Sequence, residues 1–195
     1  MQSRTDMHTV PDGLPVPTDD GACDHLTGMT LPPMTLHATD GQDVDLSALS
    51  GRTVLYIYPR TGRPDRPGSA EWDAIPGARG CTPQSCGFRD HFAELHGLCV
   101  SAIFGLSTQS TEYQREAVER LHLPFPLLSD GRLIFTNAMR LPTFQFEPYG
   151  AEIPTLLKRM AFIIRDGRIE MVFYPVFPPD RNAKDVVAWL RQNPM

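Results

Sequence analysis

The chain has 195 residues, of which 41% are hydrophobic, and this suits a single domain with extensions around one real core. Its net charge of −5 argues against nucleic acid as a main partner. No apolar run approaches the roughly 18 residues of a membrane span, and the first residues contain no apolar run of signal-peptide length. We therefore expect a cytoplasmic protein with no membrane partner.

The chain divides into an arm and a domain. Residues 1–28 are polar and interrupted by prolines, which predicts an extended N-terminal arm. Residues 29–195 are predicted to form the domain, with a loop inserted at about 60–76 that has no periodicity. Four arginines between residues 60 and 80 either are solvated or face a thiol: Arg60, Arg63, Arg66 and Arg79.

Two β-type segments precede this loop. The stretch from Met34 is typical of a hairpin around Asp40-Gly41 that leads into a short helical turn near Leu46. Residues 53–59 are continuously apolar and rich in β-forming residues until Pro59. This pattern indicates a central strand that is buried on both faces.

Two cysteines, Cys81 and Cys86, lie where the loop gives way to an amphipathic helix. The apolar residues that follow have the spacing of one buried helix face: Phe88, Phe92 and Leu95. Thr82 is predicted to be the N-cap and Pro83 the first helical residue. Cys81 should then lie beside the free N–H groups at the positive helix end, which lower the pKa of a thiol and make it a nucleophile.

The rest of the chain alternates between strands and helices. The predicted elements are a buried strand over 98–106, a helix over 111–121, a short strand over 125–129, a turn and short helix after Asp130, an irregular stretch over 141–157, a hairpin over 159–174 turning at Asp166-Gly167, and a helix over 182–192. This order predicts a thioredoxin-like α/β fold, in which a central mixed sheet is flanked by helices.

The cysteines differ in their surroundings. In a reducing compartment, a close pair such as Cys81 and Cys86 is more typical of catalysis, redox activity or metal binding than of a structural staple. Zinc usually needs four ligands, whereas this chain has no second cysteine pair and its histidines are scattered, so we expect no metal. Cys99, inside the apolar strand, is expected to be buried, and Cys23, in the polar arm, to be an incidental free thiol.

The motif from Gly80 to Cys86, with Cys-Thr-x-Gln-x-Cys followed by Arg89-Asp90, resembles that of the Q-type peroxiredoxins, also called bacterioferritin comigratory proteins. The similarity runs over about residues 30–193 and includes Gly105-Leu106-Ser107. The resemblance implies a thioredoxin fold and thiol-dependent reduction of hydrogen peroxide and organic hydroperoxides. It also implies recycling by thioredoxin or a similar dithiol, without a cofactor.

Four residues match functional positions of that family, and the roles this implies are the peroxidatic cysteine for Cys81, the resolving cysteine for Cys86, the thiolate-pairing arginine for Arg159 and the strand-closing proline for Pro59. The family pattern has Thr or Ser three residues before the first cysteine, where this chain has Ala78. Either Thr61 places its hydroxyl against the Cys81 thiol in place of that residue, or a different donor takes this role.

A disulfide between Cys81 and Cys86 requires the helix to open. In a continuous helix their Cα atoms would be about 8.6 Å apart, whereas a disulfide tolerates about 7 Å at most. The first turn must therefore unwind after oxidation. Pro83 donates no N–H and disfavours helical angles at Thr82, so we hypothesise that it eases this opening.

Two other functions remain open from the residues. One is a thiol–disulfide oxidoreductase of the same fold, although the sequence has no Cys-x-x-Cys motif. The other is a non-catalytic binding module of this fold, in which Cys81 and Cys86 form a structural disulfide. In either case we expect a monomer or a weak homodimer.

Overall fold

The computed structural model describes residues 9–65, 69–146 and 154–195, and a mixed β-sheet forms its centre. In chain order the strands are β1 (Leu36–Ala38), β2 (Asp43–Val44), β3 (Arg52–Ile57), β4 (Val100–Ser107), β5 (Leu127–Ser129), β6 (Thr143–Gln145), β7 (Thr155–Leu157), β8 (Met160–Arg165) and β9 (Arg168–Phe173). Seven of them form one sheet in the order β2-β1-β5-β4-β3-β8-β9, and β6 pairs with β7 separately.

The middle of the sheet is β3, which pairs in parallel with β4 and antiparallel with β8. All six of its residues are buried. Because side chains alternate along a strand, Val54 and Tyr56 pack into one core while Leu55 and Ile57 pack into another on the opposite face. The predicted central strand, buried on both faces, is confirmed.

Helices flank this sheet, as expected. They are α1 (Ala70–Asp73), α2 (Cys81–Asp90), α3 (Phe92–Gly97), α4 (Thr111–Leu121), α5 (Ile134–Ala138) and α6 (Asn182–Gln192). On the face of Val54 and Tyr56, the core receives apolar side chains from α2, α3, α4 and α6. The opposite face is covered by α5 and by residues 23–31.

Both predicted hairpins of the main sheet are confirmed. Strands β1 and β2 pair around the turn at Asp40-Gly41, and a short 3₁₀ helix follows at Leu46–Ala48. Strands β8 and β9 turn at Asp166 and Gly167, whose φ values of +48° and +74° are those of a type I′ turn.

The start of α2 differs from the prediction. Gly80, with φ +104°, is the N-cap and Cys81 is the first helical residue, so the assignment of Thr82 as N-cap is wrong. A side chain at Gly80 would overlap the ring of Pro179, and few residues besides glycine adopt this φ. Tertiary packing, rather than the capping preference of threonine, therefore fixes where the helix begins.

The burial expected for Cys99 is wrong, and Cys23, although a free thiol as expected, is buried rather than part of a polar surface. Cys99 is exposed and has φ +66° in the turn before β4, because the buried strand begins only at Val100. Cys23 is 4% exposed, and its Sγ lies 3.9 Å from Sδ of Met160. Burial raises the pKa of the Cys23 thiol to about 12.

The N-terminal residues contribute to the core from Cys23 onward. Leu26 is fully buried there, and the intervening chain forms turns. Residues 1–8 of the expected arm lie outside the described residues. The limits of the arm and of the domain stay predictions.

Two irregular stretches contain short elements. Within the expected insertion, α1 buries Trp72, which packs against Phe144 and Phe146, while residues 66–68 lie outside the described part. The stretch 141–157 was expected to be irregular, yet β6 and β7 pair there. Strands of three residues leave little alternation for a sequence pattern to reveal.

Candidate active site

The register of the sheet brings Arg159 to the end of the central strand. Strand β8 runs antiparallel to β3, with Met160 opposite Ile57. Arg159 therefore lies where the chain leaves β3 through Tyr58 and Pro59, which is also where α2 begins to cover the sheet. The sequence-predicted residues Pro59, Cys81 and Arg159 share this edge.

The sulfur of Cys81 is held between a cation and a carbonyl. Nη2 of Arg159 donates to Sγ at 3.2 Å, and Sγ lies 3.7 Å from the carbonyl oxygen of Ala78. Cys81 is 4% and Arg159 3% exposed. A guanidinium at this distance supplies both positive charge and a hydrogen bond to the sulfur, which are the interactions that stabilise a sulfur anion during nucleophilic attack.

Arg159 is itself fixed by the loop that precedes the cysteine. Its Nε donates to the carbonyl of Gly77 at 3.2 Å, and its Nη2 donates to those of Ala78 and Arg79 at 2.9 and 3.2 Å. Ala78, which replaces the hydroxyl residue of the family pattern, thus contributes its carbonyl to the site. The loop conformation and the position of the guanidinium depend on each other.

Two buried amides extend the site, and no role was predicted for either. Nη1 of Arg159 donates to Oε1 of Gln84, and Nε2 of Gln84 donates to Oδ1 of Asn182 at 2.9 Å. Gln84 is three residues after Cys81, a spacing that indicates a shared helix face. The sequence carries no comparable signal for Asn182, because it lies 98 positions further along.

Thr61 points its hydroxyl at another partner. Its Oγ1 donates to Oε1 of Gln109 at 3.2 Å, and its N–H donates to the same oxygen at 3.0 Å. The carbonyl of Thr61 accepts from the hydroxyl of Tyr113 at 3.1 Å. The expectation that Thr61 returns its hydroxyl to the thiol therefore does not describe this structure, where Thr61 orders the chain just after Pro59.

The arginines of the insertion also have partners other than the thiol. The guanidinium of Arg60 lies 5.2 Å from the ring centroid of Trp72. Arg63 pairs with Asp65, and Arg79 donates to Asp73 at 3.0 Å. Arg66 lies outside the described residues. Of the two alternatives left open for Arg60, Arg63 and Arg79, these contacts favour the one without the thiol, while Arg159, to which the family resemblance assigned the role, lies against the sulfur.

Cys86 lies in the same helix as Cys81, and the two are not joined by a disulfide. Because α2 is continuous from Cys81 to Asp90, their Cα atoms stand about 8.6 Å apart by helix geometry. Burial raises the pKa of the Cys86 thiol, although Arg89 nearby acts in the opposite direction. Cys86 is therefore a protonated thiol at neutral pH while the helix is closed.

A cavity of about 220 Å³ adjoins Arg159, and the N-terminal segment forms part of its wall through Pro17. This segment is tied down by Asp20, whose carboxylate accepts from Nζ of Lys158 at 2.6 Å and from the hydroxyl of Tyr174 at 2.7 Å. These bonds, with that of Lys158 the stronger, lower the pKa of Asp20 to about 2. The arm and the site are therefore in contact.

Within residues 9–65, 69–146 and 154–195, no group of three or more His, Cys, Asp or Glu side chains is arranged to hold a metal ion. Nor does this part of the chain contain a helix that is both long and apolar enough to cross a bilayer. The chemistry that the site offers is that of a thiol beside a guanidinium.

The chain is similar to known proteins over most of its length. The family model described as Redoxin matches residues 26–188. The chain is 30% identical over 171 residues to peroxiredoxin Bcp of Escherichia coli strain K12, covering 85% of this chain and 96% of that protein. It is 28% identical over 166 residues to the chloroplastic peroxiredoxin Q of Sedum lineare, covering 84% of this chain and 77% of that one.

Solved structures show the same fold. The structure of peroxidoxin BcpB from Mycobacterium tuberculosis matches with a TM-score of 0.65 and 27% identity, over 86% of this chain and 98% of that one. A bacterioferritin comigratory protein of Xanthomonas campestris matches with a TM-score of 0.62 over 92% of this chain and 98% of that one, at 20% identity.

Proposed function

The chain belongs to the Redoxin family and is a peroxiredoxin, a thiol-dependent peroxidase, and on this premise we propose that Cys81 is the residue that attacks the peroxide. The observation that carries the assignment is the 3.2 Å contact between Nη2 of Arg159 and Sγ of Cys81. Family membership favours a peroxidase over the thiol–disulfide oxidoreductase and the non-catalytic module considered above.

The first step is a two-electron transfer at sulfur. The Cys81 thiolate attacks one peroxide oxygen, the O–O bond breaks, and the other oxygen leaves as hydroxide or alkoxide and takes up a proton. Cys81 becomes a sulfenic acid. Arg159 stabilises the attacking sulfur anion. The same delocalised positive charge also stabilises the negative charge that develops on the peroxide oxygens.

The second step uses Cys86 as the resolving thiol. Its sulfur attacks the sulfenic sulfur of Cys81 and expels water, which forms a disulfide. Because about 8.6 Å separates the two Cα atoms in the closed helix, the first turn of α2 must unwind beforehand. Since burial is the main cause of the raised pKa of Cys86, opening also exposes this thiol and makes it a better nucleophile.

We further propose that the disulfide is reduced by thioredoxin or a similar dithiol. The substrates in this proposal are hydrogen peroxide and organic hydroperoxides, and the protein acts in the cytoplasm as a monomer or weak homodimer. Residues 29–195 would be the catalytic domain, with residues 60–76 as its insertion. The dithiol is required because the disulfide form holds no free thiolate at Cys81.

The test is mass spectrometry after one equivalent of hydrogen peroxide. We expect a Cys81–Cys86 disulfide in the wild type and, in Cys86→Ser, a sulfenic acid at Cys81 that dimedone traps. Cys99→Ser is the matched control, because this thiol is exposed and distant in sequence from both, and it should behave as the wild type. Oxidation that appears first at Cys99, or no loss of the Cys81 thiol, would contradict the proposal.

A further inference from the structure

A line of buried polar side chains connects the C-terminal helix to the reactive sulfur. Oδ1 of Asn182, at the start of α6, accepts from Gln84; Oε1 of Gln84 accepts from Arg159; and Arg159 donates to Cys81. Gln84 is 0% and Asn182 1% exposed. We propose that Asn182 is a positioning residue that acts through Gln84 to hold the guanidinium of Arg159 against the sulfur of Cys81.

The two ends of the Gln84 amide differ in what they can bind. One end is a carbonyl oxygen and the other an NH₂ group, and only the oxygen can accept from Arg159. If the amide rotated by half a turn, the N–H groups of Gln84 and Arg159 would face each other, and both side chains are buried. Asn182 offers an acceptor to the NH₂ end at 2.9 Å and so favours the orientation that Arg159 requires.

The contact with Gln84 also differs from the other contacts of Arg159. The carbonyls of Gly77, Ala78 and Arg79 fix the guanidinium relative to the loop. Gln84 belongs to α2, the same helix that carries Cys81. The Gln84 contact is therefore the one that sets the guanidinium relative to the helix on which the sulfur is mounted.

Without an acceptor at position 182, the Gln84 NH₂ group would be buried and unpaired. Such a group is costly, so the amide would turn or shift to find another acceptor. Its oxygen would then be released from Nη1 of Arg159. We expect a guanidinium that is held less firmly and that stabilises an anionic Cys81 sulfur less well.

This inference rests on the proposed role of Cys81, but its test does not depend on peroxide. The rate of iodoacetamide alkylation is followed on the Cys81 peptide by mass spectrometry at pH 7 and at pH 10. In Asn182→Leu we expect the rate at pH 7 to fall about fivefold while the rate at pH 10, where the thiol ionises regardless, changes by less than about twofold. The rate of peroxide reduction should fall in parallel.

The hydrogen-bonded series from Asn182 through Gln84 to Arg159 is called the relay below. A double-mutant cycle distinguishes an effect of the relay from a general loss of packing. In a Gln84→Met background, which removes both amide contacts, Asn182→Leu should cause no further change at pH 7. Asn182→Asp keeps an acceptor oxygen and should restore the rate. Thr136→Val is the matched control, because it deletes another buried hydrogen bond, to Asp130, and should leave alkylation of Cys81 unchanged.

Equal losses at both pH values, an added loss in the Gln84→Met background, or an unchanged rate in Asn182→Leu would each overturn the inference. If Asn182→Leu does not fold, Asn182→Ala is held to the same outcomes. A wild type that fails to reduce peroxide while the alkylation results hold would refute the proposed function and leave the relay standing. The reverse pattern would refute the relay alone.

Discussion

Arg159 shows how one side chain can set both the chemistry and the shape of a site. Its guanidinium contacts the sulfur of Cys81 and also three consecutive backbone carbonyls and the oxygen of Gln84. A lysine ammonium would carry the same charge, but it lacks the planar, forked arrangement of donors that these contacts use. Charge alone would therefore not preserve the site.

We expect Arg159→Lys to lower the second-order rate constant for hydrogen peroxide about tenfold or more, because the ammonium cannot serve the sulfur and the loop together. Competition stopped-flow measurement against a second peroxidase gives this rate. Arg60→Lys, in the neighbouring insertion and stacked on Trp72, is the control and should stay within about twofold of the wild type. A wild-type rate in Arg159→Lys would show that the point charge suffices.

Cys23 and Cys99, the two cysteines outside α2, should differ sharply in their reactivity toward alkylating reagents. Since the pKa of Cys23 is raised to about 12 by burial, only about one molecule in a thousand carries its thiolate at pH 9. Cys99 is exposed in a turn. At this pH we expect iodoacetamide to label Cys99 at least about a hundredfold faster than Cys23, as read from the two peptides. Comparable labelling of both would mean that residues 21–28 open readily.

At the scale of elements, the proposed cycle requires the first turn of α2 to form in the reduced protein and to unwind after oxidation. Its first regular hydrogen bond runs from the N–H of Gln84 to the carbonyl of Gly80 at 3.0 Å. Pro83 lies before that bond, where a helix leaves its N–H groups unpaired, so the proline removes no hydrogen bond from the closed state. Its influence must act through Thr82, whose helical angles it disfavours.

Pro83→Ala should therefore stabilise the closed turn. We expect slower disulfide formation, by about two- to fivefold, and more overoxidation of Cys81 to sulfinic acid at high peroxide. Rapid quench followed by mass spectrometry measures both. Pro124→Ala, an exposed proline outside this helix, serves as the control. An unchanged rate of disulfide formation in Pro83→Ala would reject the hypothesis.

At the scale of the whole molecule, Asp20 connects the N-terminal segment to residues that flank strands β8 and β9, far along the chain. Its partners Lys158 and Tyr174 lie 138 and 154 positions away. Because its pKa is lowered from 3.8 to about 2, the contribution of this carboxylate to stability is present above pH 3.8 and is lost as the pH falls toward 2. The attachment of the N-terminal segment through Asp20 is thus sensitive to acid.

For Asp20→Asn we expect a melting temperature about 1–3 °C below that of the wild type at pH 7, a small effect because the group is exposed. The difference should shrink as the pH falls from 4 toward 2. Asp12→Asn, in the same segment, should melt as the wild type at every pH. A difference that persists undiminished at pH 2 would show that the ionised carboxylate is not the cause.

The sequence predicted the strongly periodic elements best. The helices at 111–121 and 182–192 agree with α4 and α6 to the residue, because each presents an amphipathic pattern over three turns. The N-cap at Gly80 was missed because contact with Pro179 overrides the local preference for threonine. The bond between Gln84 and Asn182 was missed for a related reason, since it joins residues that only the completed fold brings together.

The close packing of α2 against the turn that precedes α6 affects the oxidised protein as well. The turn at Pro179–Arg181, just before Asn182, fills the space beside Gly80, and the backbone oxygen of Asp180 lies 3.4 Å from where a side chain at Gly87 would begin. When the helix opens, this turn and the start of α6 lose their neighbour, so amide protons there should exchange with solvent faster in the oxidised protein. Linkage is reciprocal, so a ligand or contact that stabilises α6 against α2 must, by the same free energy, disfavour opening of the first turn of α2 and slow the proposed cycle.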